Sequence, residues 1–484
     1  FTYHFGFHAT SALLGWLTSS TPGAAVIYMG QIINGLAVLS LFTLSMRIRR
    51  SVLAGTITIL LAGLLLNMPM FFVNWSRYTQ LAGLAILAIF ACACWRYLRA
   101  EKFSLSGLLI SSLLLAGLGL THYRVLIIAG VFIFAFILLY FKSLTLQSFA
   151  VRVIALAATT FAAVLPWVIN VFSGKLTDIL EYQVSSPASQ INTTQAALIQ
   201  TGNLFIYLAA GVWILLPVLL AWALWRRQRA IALISLWWFL AFLLANPQWF
   251  KLPGNGVITS FAILISAFFP VSLIFGESIT GLIEAVIHDP APSDHGSSAD
   301  RRIHSAWINA LIAVILVSAG LWGASQRKDT LNKYEFSLTT RPDLRAAEWI
   351  DGNLPPDAKF LVNSFFAYGG SLIAGSDAGW WLPLTARRQT TLPPLTYGSE
   401  QGPTPDYINS INNLTASIIE YGVDHPLVKE MLEDRGITHV YIGQRQGSVG
   451  SDKPLFYADE LLASERYDPV YHQDRVWIFK INPG

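Results

Sequence analysis

Charged residues are scarce in this sequence. Only 12% of its 484 residues are Asp, Glu, Lys or Arg, whereas 54% are hydrophobic. Soluble globular proteins carry roughly 25% charged residues, so the scarcity excludes a wholly soluble fold and predicts that much of the chain lies in a bilayer. Cysteine is scarce too: Cys92 and Cys94 are the only two. At positions i and i+2 of a helix they would point to different sides, which excludes a disulfide between them.

Acidic residues are scarce in the first two thirds of the chain. Residues 1–325 hold 17 Lys and Arg but 8 Asp and Glu, whereas residues 326–484 hold 15 and 20. The basic residues form short groups between apolar runs rather than one basic face, which excludes nucleic acid as a partner. The sequence therefore predicts two domains, a multi-span transmembrane domain at 1–325 and a soluble domain at 326–484.

Long apolar runs are abundant in the first domain. A helix needs about 20 apolar residues to cross a hydrocarbon core about 30 Å thick. A search at that length predicts about ten transmembrane helices, near residues 24–46, 52–73, 80–95, 105–121, 125–141, 151–172, 204–224, 230–245, 256–275 and 305–324.

The loops between these runs differ in basic residues. If alternate loops are placed in the cytoplasm, thirteen Lys and Arg collect there, and the opposite loops keep Arg77, Arg124, Lys175 and Lys251. Cytoplasmic loops of membrane proteins are enriched in Lys and Arg. The pattern predicts a multi-pass protein of the cell membrane, with residues 1–23 and the C-terminal domain on the extracytoplasmic side.

The C-terminal domain has the periodicities of an α/β fold. Thr340, Pro342 and Asp343 form a helix-start signal that predicts a helix near 341–352. Strands are expected at 359–364 and 438–443, and as a hairpin on either side of Gln473 and Asp474. Helices near 404–421 and 425–435 should lie between them.

The segment 375–391 is too polar for a core. Asp377 followed by Trp380 and Trp381 could hold a sugar, because a carboxylate accepts hydroxyl hydrogen bonds and aromatic rings cover C–H faces. Arg387 lies close behind in the sequence. Docking of the two Trp residues at the membrane interface explains the same pattern, and the sequence leaves both interpretations open.

Polar and aromatic residues also gather at the predicted outer ends of the spans. These groups combine a cation or imidazole with aromatic rings, which suits a lipid-linked phosphate. Snorkelling of the cations to lipid headgroups is the alternative. The candidate substrate-binding residues are His4, His8, Arg77, Tyr78, His122, Arg124, Trp249 and Lys251.

Candidate catalytic acids are nearly absent from the predicted outer loops. Only Asp178 and Glu181 are available there, and an exposed acidic helix face explains them equally well. The sequence begins at Phe1 without a methionine or a charged leader. We therefore expect a further span and the catalytic base to lie upstream of Phe1.

Several short motifs resemble one family. The spans, the YHFGFH run at 3–8, RYTQLAG at 77–83, TH at 121–122 and the large C-terminal α/β domain resemble the type C superfamily of membrane glycosyltransferases, especially bacterial mannosyl- and arabinosyltransferase-like proteins. The resemblance implies a polyprenyl-phosphate-linked sugar donor and transfer to an extracytoplasmic glycan, lipid or protein. It implies that the catalytic acid lies in the first outer loop, and that His4, His8, Arg77, Tyr78 and His122 contact substrate.

The resemblance does not specify a cofactor or a metal for the reaction. No cofactor is certain, a divalent metal such as Mg or Mn would be compatible, and no residue of this sequence is assigned as a metal ligand. Two other functions fit the same pattern: a transporter or flippase of a lipid-linked glycan, and a non-catalytic relative that binds glycan.

Overall fold

The computed structural model of the chain describes residues 4–140, 146–172, 204–205, 207–254, 256–288, 298–367, 370–398 and 402–482. These residues form two compact units, a helical unit that ends at Leu331 and an α/β unit that begins at Asn332. Each unit has its own buried core.

The helical unit consists of apolar helices. In chain order they are α1 (Gly6–Thr18), α2 (Pro22–Arg49), α3 (Val52–Leu60), α4 (Tyr78–Leu98), α5 (Leu105–Thr121), α6 (Tyr123–Tyr140), α7 (Leu146–Phe172), α8 (Ala210–Trp225), α9 (Arg229–Leu244), α10 (Ser260–Ile265), α11 (Phe268–His288) and α12 (Ser298–Gln326).

Hydroxyl side chains begin many of these helices. Thr21, Ser51, Ser104 and Thr259 each accept a backbone N–H from the first turn of α2, α3, α5 and α10. Such caps satisfy donors that the helix itself leaves unpaired. Helix α4 is largely buried and packs against α2, α5 and α6. Its position places the start of α4 against the turn between α5 and α6.

Six segments are long and apolar enough to cross a membrane by length and composition. They lie at Pro22–Arg49, Tyr78–Leu98, Tyr123–Tyr140, Gln147–Phe172, Ser260–Ala285 and in the segment that begins at Trp307. The remaining apolar helices of the described residues, such as Leu105–Thr121 and Arg229–Leu244, are shorter. The described part of the chain is thus a multi-pass helical protein, and the number of about ten spans stays a prediction.

Two predicted spans differ in shape from the continuous helices expected. The predicted helix 52–73 is α-helical only to Leu60, continues as a π-helix over Leu61–Leu65 and gives way to a 3-10 turn at Met70–Val73. Pro69 lies in this break, where it lacks the N–H that a continuous helix requires. The predicted helix 256–275 is divided into α10 and α11.

The α/β unit is built on a mixed sheet. Its strands are β1 (Lys359–Val362), β2 (Ser364–Ala367), β3 (Leu372–Gly375), β4 (Gln389–Thr390), β5 (His439–Ile442), β6 (Tyr467–Gln473) and β7 (Val476–Ile481). The main sheet has the order β4-β1-β5-β7-β6, with β4, β1 and β5 parallel, and β2 and β3 form a separate antiparallel pair.

Short helices surround this sheet. They are α13 (Lys333–Phe336), α14 (Arg341–Asn353), α15 (Leu382–Thr385), α16 (Tyr407–Tyr421), α17 (Pro426–Asp434) and α18 (Ala458–Leu462). Successive residues of a strand face opposite sides, so Phe360 and Val362 enter the core beneath α14, whereas Leu361 enters the core beneath α16 and α17.

The predicted elements of this unit are largely confirmed. The helix expected at 341–352 spans Arg341–Asn353, and the expected hairpin is β6 with β7. The segment 359–364 was expected as one strand, which is wrong: β1 ends at Val362 and β2 begins at Ser364. The intervening Asn363 directs its side chain into the domain, where its Oδ1 accepts the backbone N–H of Leu455 at 2.9 Å.

Candidate anion-binding site

Three predicted residue groups come together in the helical unit. His4 precedes α1, Arg77 and Tyr78 begin α4, and His122 and Arg124 lie at the turn between α5 and α6. The His4 and His122 ring centroids are 4.9 Å apart, and His122 stacks on Tyr123 at 5.9 Å. We call His4, Arg77, His122 and Arg124 the basic cluster.

Two guanidinium groups border the imidazole pair. Arg124 lies over the Tyr123 ring at 5.4 Å, and its Nε donates to the Val257 carbonyl at 3.3 Å. Arg77 lies over the Phe261 ring at 4.5 Å. One nitrogen of Arg124 is thus held by the backbone, and both guanidinium groups lie over aromatic rings. Guanidinium groups can bind an anion through two parallel hydrogen bonds.

Glycine permits the close approach of the elements that carry the cluster. A Cβ at Gly6 would lie 2.6 Å from Thr121 Oγ1, and a Cβ at Gly30 would lie 2.4 Å from the Tyr78 ring. Atoms do not approach this closely without displacement, so larger residues would push α1 away from α5 and α2 away from α4. The stacked rings of Phe7 and Tyr78, at 5.4 Å, complete this contact.

The imidazoles are buried among positive charges. His4 is 6% exposed and His122 is 8% exposed. Burial lowers the pKa of His4 to about 4, with smaller effects from His8 and Arg124. Burial, then His4, Arg124 and Arg77, lower the pKa of His122 well below its usual range. The buried Nδ1 of His122 has no hydrogen-bond partner among the described residues. Such a site is electrostatically suited to an anion.

Three other predicted substrate residues of this unit, His8, Trp249 and Lys251, are not members of the basic cluster. His8 is exposed, and its ring contacts Phe7 at 5.5 Å. Trp249 packs on Phe242 at 5.5 Å and is half exposed, and Lys251 is exposed at the end of the 3-10 turn Pro247–Phe250. The weak acid candidates Asp178 and Glu181 lie outside the described residues.

In the α/β unit, Asp377 occupies an enclosed position. Its side chain is fully buried; Oδ1 accepts the Gly379 N–H at 2.9 Å, and Oδ2 accepts the Gly443 N–H at 2.9 Å. Burial raises the pKa of Asp377 to about 7, against the effect of these hydrogen bonds. A carboxylate held in this way organises loops, which favours a structural role over sugar binding.

The neighbours of Asp377 in sequence differ in exposure. Trp380 donates its Nε1–H to the Pro393 carbonyl at 3.1 Å, whereas Trp381 is 44% exposed. Arg387 is exposed and has a left-handed backbone, with φ of 53°. Trp381 and Arg387 are therefore the members of this segment that a ligand or a membrane could reach.

The sequence analysis missed two structural residues of this unit. Arg388 is buried and donates to the carbonyls of Leu354 at 2.8 Å and Pro355 at 2.9 Å, at the end of α14. Asp343, expected as a helix-start residue, also accepts the Tyr441 hydroxyl at 2.9 Å. Hydrogen bonds between such distant chain positions leave no local signal in a sequence.

Metal ligands are sparse in the described residues. No group of three or more His, Cys, Asp or Glu lies close enough together to hold a metal ion there. His4 and His122 would supply two ligands, but the two guanidinium groups beside them disfavour a cation. These residues fit a metal poorly, so a divalent metal remains a prediction and no step below passes through one.

Comparisons with known proteins detect similarity only in structure. No family model and no curated protein matches the chain. The oligosaccharyltransferase of Archaeoglobus fulgidus, solved with Zn and sulfate, matches 91% of this chain and 59% of its own at 13% identity and a TM-score of 0.52. The same organism's AglB, solved with an inhibitory peptide and a dolichol-phosphate, matches 91% and 61% at 13% identity and a TM-score of 0.48.

ArnT from Cupriavidus metallidurans also matches. Bound to undecaprenyl phosphate, it matches 99% of this chain and 88% of its own at 11% identity and a TM-score of 0.49. The chain spans about three fifths of the length of the archaeal enzymes. The match with a TM-score of 0.52 shows that the chain has the fold of that oligosaccharyltransferase. The resemblance stated from the sequence is thus confirmed for the fold.

Proposed function

We propose that the protein is an integral-membrane glycosyltransferase that moves a sugar from a polyprenyl-phosphate-linked donor to an extracytoplasmic acceptor. The basic cluster carries this proposal, because two buried imidazoles and two guanidinium groups converge there from three separate chain segments. A lipid-linked phosphate is the anion that a multi-pass membrane protein meets at such a position. In this proposal the basic cluster and the α/β unit lie on the extracytoplasmic side.

Each part of the cluster has a role in this chemistry. Arg77 and Arg124 lie over the Phe261 and Tyr123 rings, and guanidinium groups bind phosphate oxygens in pairs. The buried, stacked rings of Phe7 and Tyr78 pack together the elements that carry the cluster. His122 presents a buried ring nitrogen without a protein partner among the described residues.

The reaction is proposed to invert the anomeric centre. The acceptor hydroxyl attacks the anomeric carbon, the bond from that carbon to the phosphate oxygen breaks, and the released phosphate takes the electron pair. Arg77 and Arg124 stabilise this departing charge. A carboxylate removes the acceptor proton; Asp178 and Glu181 are the outer-loop candidates in this sequence, and a residue upstream of Phe1 is the other source.

The fold supports this proposal in general terms. The structure that matches with a TM-score of 0.52 is an oligosaccharyltransferase.

Arg77→Ala tests the function. We expect the variant to insert and fold, and to lose transfer from a polyprenyl-phosphate sugar by about 100-fold or more, as when a transition-state donor is removed. The matched control is Arg227→Ala, which removes an exposed arginine from the turn between α8 and α9. Unchanged turnover in Arg77→Ala, with normal turnover in the control, would contradict the assignment.

A transport function receives no comparable support. Glu277 is the buried acid within α11, but Ser45 donates to it at 2.9 Å and Arg49 lies 3.8 Å away at the end of α2. This group is paired within the protein and is accounted for by helix packing.

A further inference from the structure

The imidazole pair has an unusual electrostatic setting. His4 and His122 lie close enough that two protonated rings would repel each other, and both are buried. His4 comes from the segment before α1 and His122 from the turn between α5 and α6, so the two elements hold the pair in place.

The groups that face His122 come from several elements. They are His4 before α1, Arg77 at the start of α4, and Tyr123 and Arg124 at the start of α6, while His8 on α1 acts on His4. None of these groups is acidic. The two guanidinium groups keep their charge throughout the neutral range, so they set a constant positive field around the pair.

Burial, and to a smaller extent the neighbouring positive charges, keep the pair neutral in the absence of an anion. Both effects lower the pKa of His4 and of His122. An anion bound between the arginines shifts the protonation equilibrium of the imidazoles, because its negative charge favours the protonated ring. Protonation also makes both ring nitrogens donors, so the buried Nδ1 of His122 would gain a partner.

We propose that the basic cluster binds a phosphodiester anion together with a proton, and that His122 carries this proton. The proposal rests on the proposed function, since it takes the lipid-linked phosphate as the anion. His122 is assigned rather than His4 because Arg77 and Arg124, which would hold the anion, both act on His122, whereas only Arg124 of the two acts on His4. The buried Nδ1 of His122 also has no partner among the described residues and could donate to the anion.

The consequence is a proton-linked donor affinity. A sugar-phosphate-lipid donor is a diester with one charge and no proton to lose near neutral pH. The product is a monoester with a second ionisation near pH 6, and its own titration would obscure that of the protein. A diester probe therefore isolates the protein's proton.

The test measures proton uptake directly. The full chain in detergent is titrated with farnesyl methyl phosphate by calorimetry at pH 7, in Tris and in Hepes, whose ionisation enthalpies differ. The difference in heat gives the number of protons taken up. We expect about one proton per ligand, and a Kd that falls up to about tenfold for each unit of decreasing pH between pH 8 and 6.

His122→Gln is the informative variant. Glutamine keeps a hydrogen-bonding side chain but does not titrate in this range, so the variant should bind the probe without proton uptake and with a flat pH profile. His425→Gln, which changes an exposed histidine of the α/β unit, is the matched control and should keep the uptake.

The outcomes separate the two proposals. Binding by the unaltered protein without proton uptake would overturn this inference and leave the proposed function standing. Uptake that persists in His122→Gln would overturn the assignment of the proton to His122. No binding at any pH would refute the lipid-phosphate site itself, and the proposed function with it.

Discussion

The helical unit and the α/β unit each bury a polar cluster, and the two clusters are built in opposite ways. In the α/β unit, Asp343 and Asp377 have hydrogen-bond donors at all four carboxylate oxygens; Asp343 Oδ2, for example, accepts the Thr340 N–H at 2.8 Å. In the helical unit, the basic cluster places like charges together, and a buried nitrogen of His122 lacks a partner among the described residues.

The difference separates a structural network from a binding site. Buried polar groups that satisfy one another stabilise a fold, whereas buried groups that repel one another or lack partners lower its stability unless a ligand completes them. The acidic network joins the start of α14 to the segments that follow β3 and β5. The basic cluster gathers three segments and places like charges beside the buried imidazoles. Function is therefore expected in the helical unit, and scaffolding in the α/β unit.

The largest effect is expected from Arg124→Ala. Removing one guanidinium should weaken binding of the phosphodiester probe by about 100-fold, since truncating a buried charged partner costs 2–5 kcal/mol. Stability should stay near that of the parent protein, because the change also relieves repulsion with His122. Calorimetry and thermal unfolding measure the two quantities. A loss of stability with unchanged probe affinity would contradict the comparison, because it would make the basic cluster a structural network rather than a binding site.

Asp343→Ala should lower the stability of the protein without changing its affinity for the probe. It leaves the Tyr441 hydroxyl and the Gln444 N–H without their acceptor, and we expect the free energy of unfolding of the α/β unit to fall by about 3 kcal/mol. Probe affinity should not change. The control is Asp351→Ala, whose exposed carboxylate lies 3.5 Å from Arg388 and should contribute under about 1 kcal/mol.

The pH dependence of stability should carry opposite contributions from two buried groups. The raised pKa of Asp377, about 7, means that the folded state binds its proton more tightly than the unfolded state. Its contribution therefore destabilises the fold as pH rises from about 4 to 7. His439 is also buried, and its pKa is lowered to about 4, so its contribution stabilises the fold as pH rises through the same range.

Denaturant unfolding between pH 4 and 8 measures the sum of these contributions. Asp377→Asn should remove the destabilising part, so that stability rises more steeply with pH than in the parent protein. His439→Gln should remove the stabilising part. If neither substitution alters the pH profile, the two groups do not titrate as their burial requires.

The smallest stability effect is expected from Trp381→Ala. The exposed ring should contribute within about 0.5 kcal/mol to unfolding, whereas Trp380→Ala, the matched control, loses a hydrogen bond to Pro393 and should cost more. A raised KM for the acceptor in Trp381→Ala would indicate sugar binding. Weaker association of the protein with lipid vesicles would indicate membrane docking instead.

The sequence predicted much of this arrangement. Apolar runs and helix-start signals located most helices within a few residues, because span length and capping are local properties. The residues of the basic cluster were named from their position at span ends, and the structure brings four of them together. Their ring partner Phe261 and the Val257 carbonyl were not foreseen, since nothing local to either residue marks a contact with Arg77 or Arg124.

Two positions of the α/β unit differ from what their local sequence suggests, and the cause is the same. The sequence leaves the segment of Asp377 open between sugar binding and docking of its Trp residues at the membrane. In the structure the Asp377 carboxylate is buried and accepts the N–H groups of Gly379 and Gly443, which lie far apart in sequence. The division of 359–364 into β1 and β2 depends in the same way on the distant Leu455. Burial and hydrogen bonds to distant residues determine the structure at these positions, and neither produces a periodic pattern in the sequence.

Position 388 requires the shape of the arginine side chain as well as its charge. Three of its nitrogens reach separate backbone carbonyls, at Pro355, Ala386 and Leu354. A lysine would retain the charge but has a single donor atom, so it would leave at least one of these carbonyls without its present donor. Position 388 should therefore tolerate no other basic residue. A related sequence with a different residue at this position should carry a new hydrogen-bond donor at the end of α14.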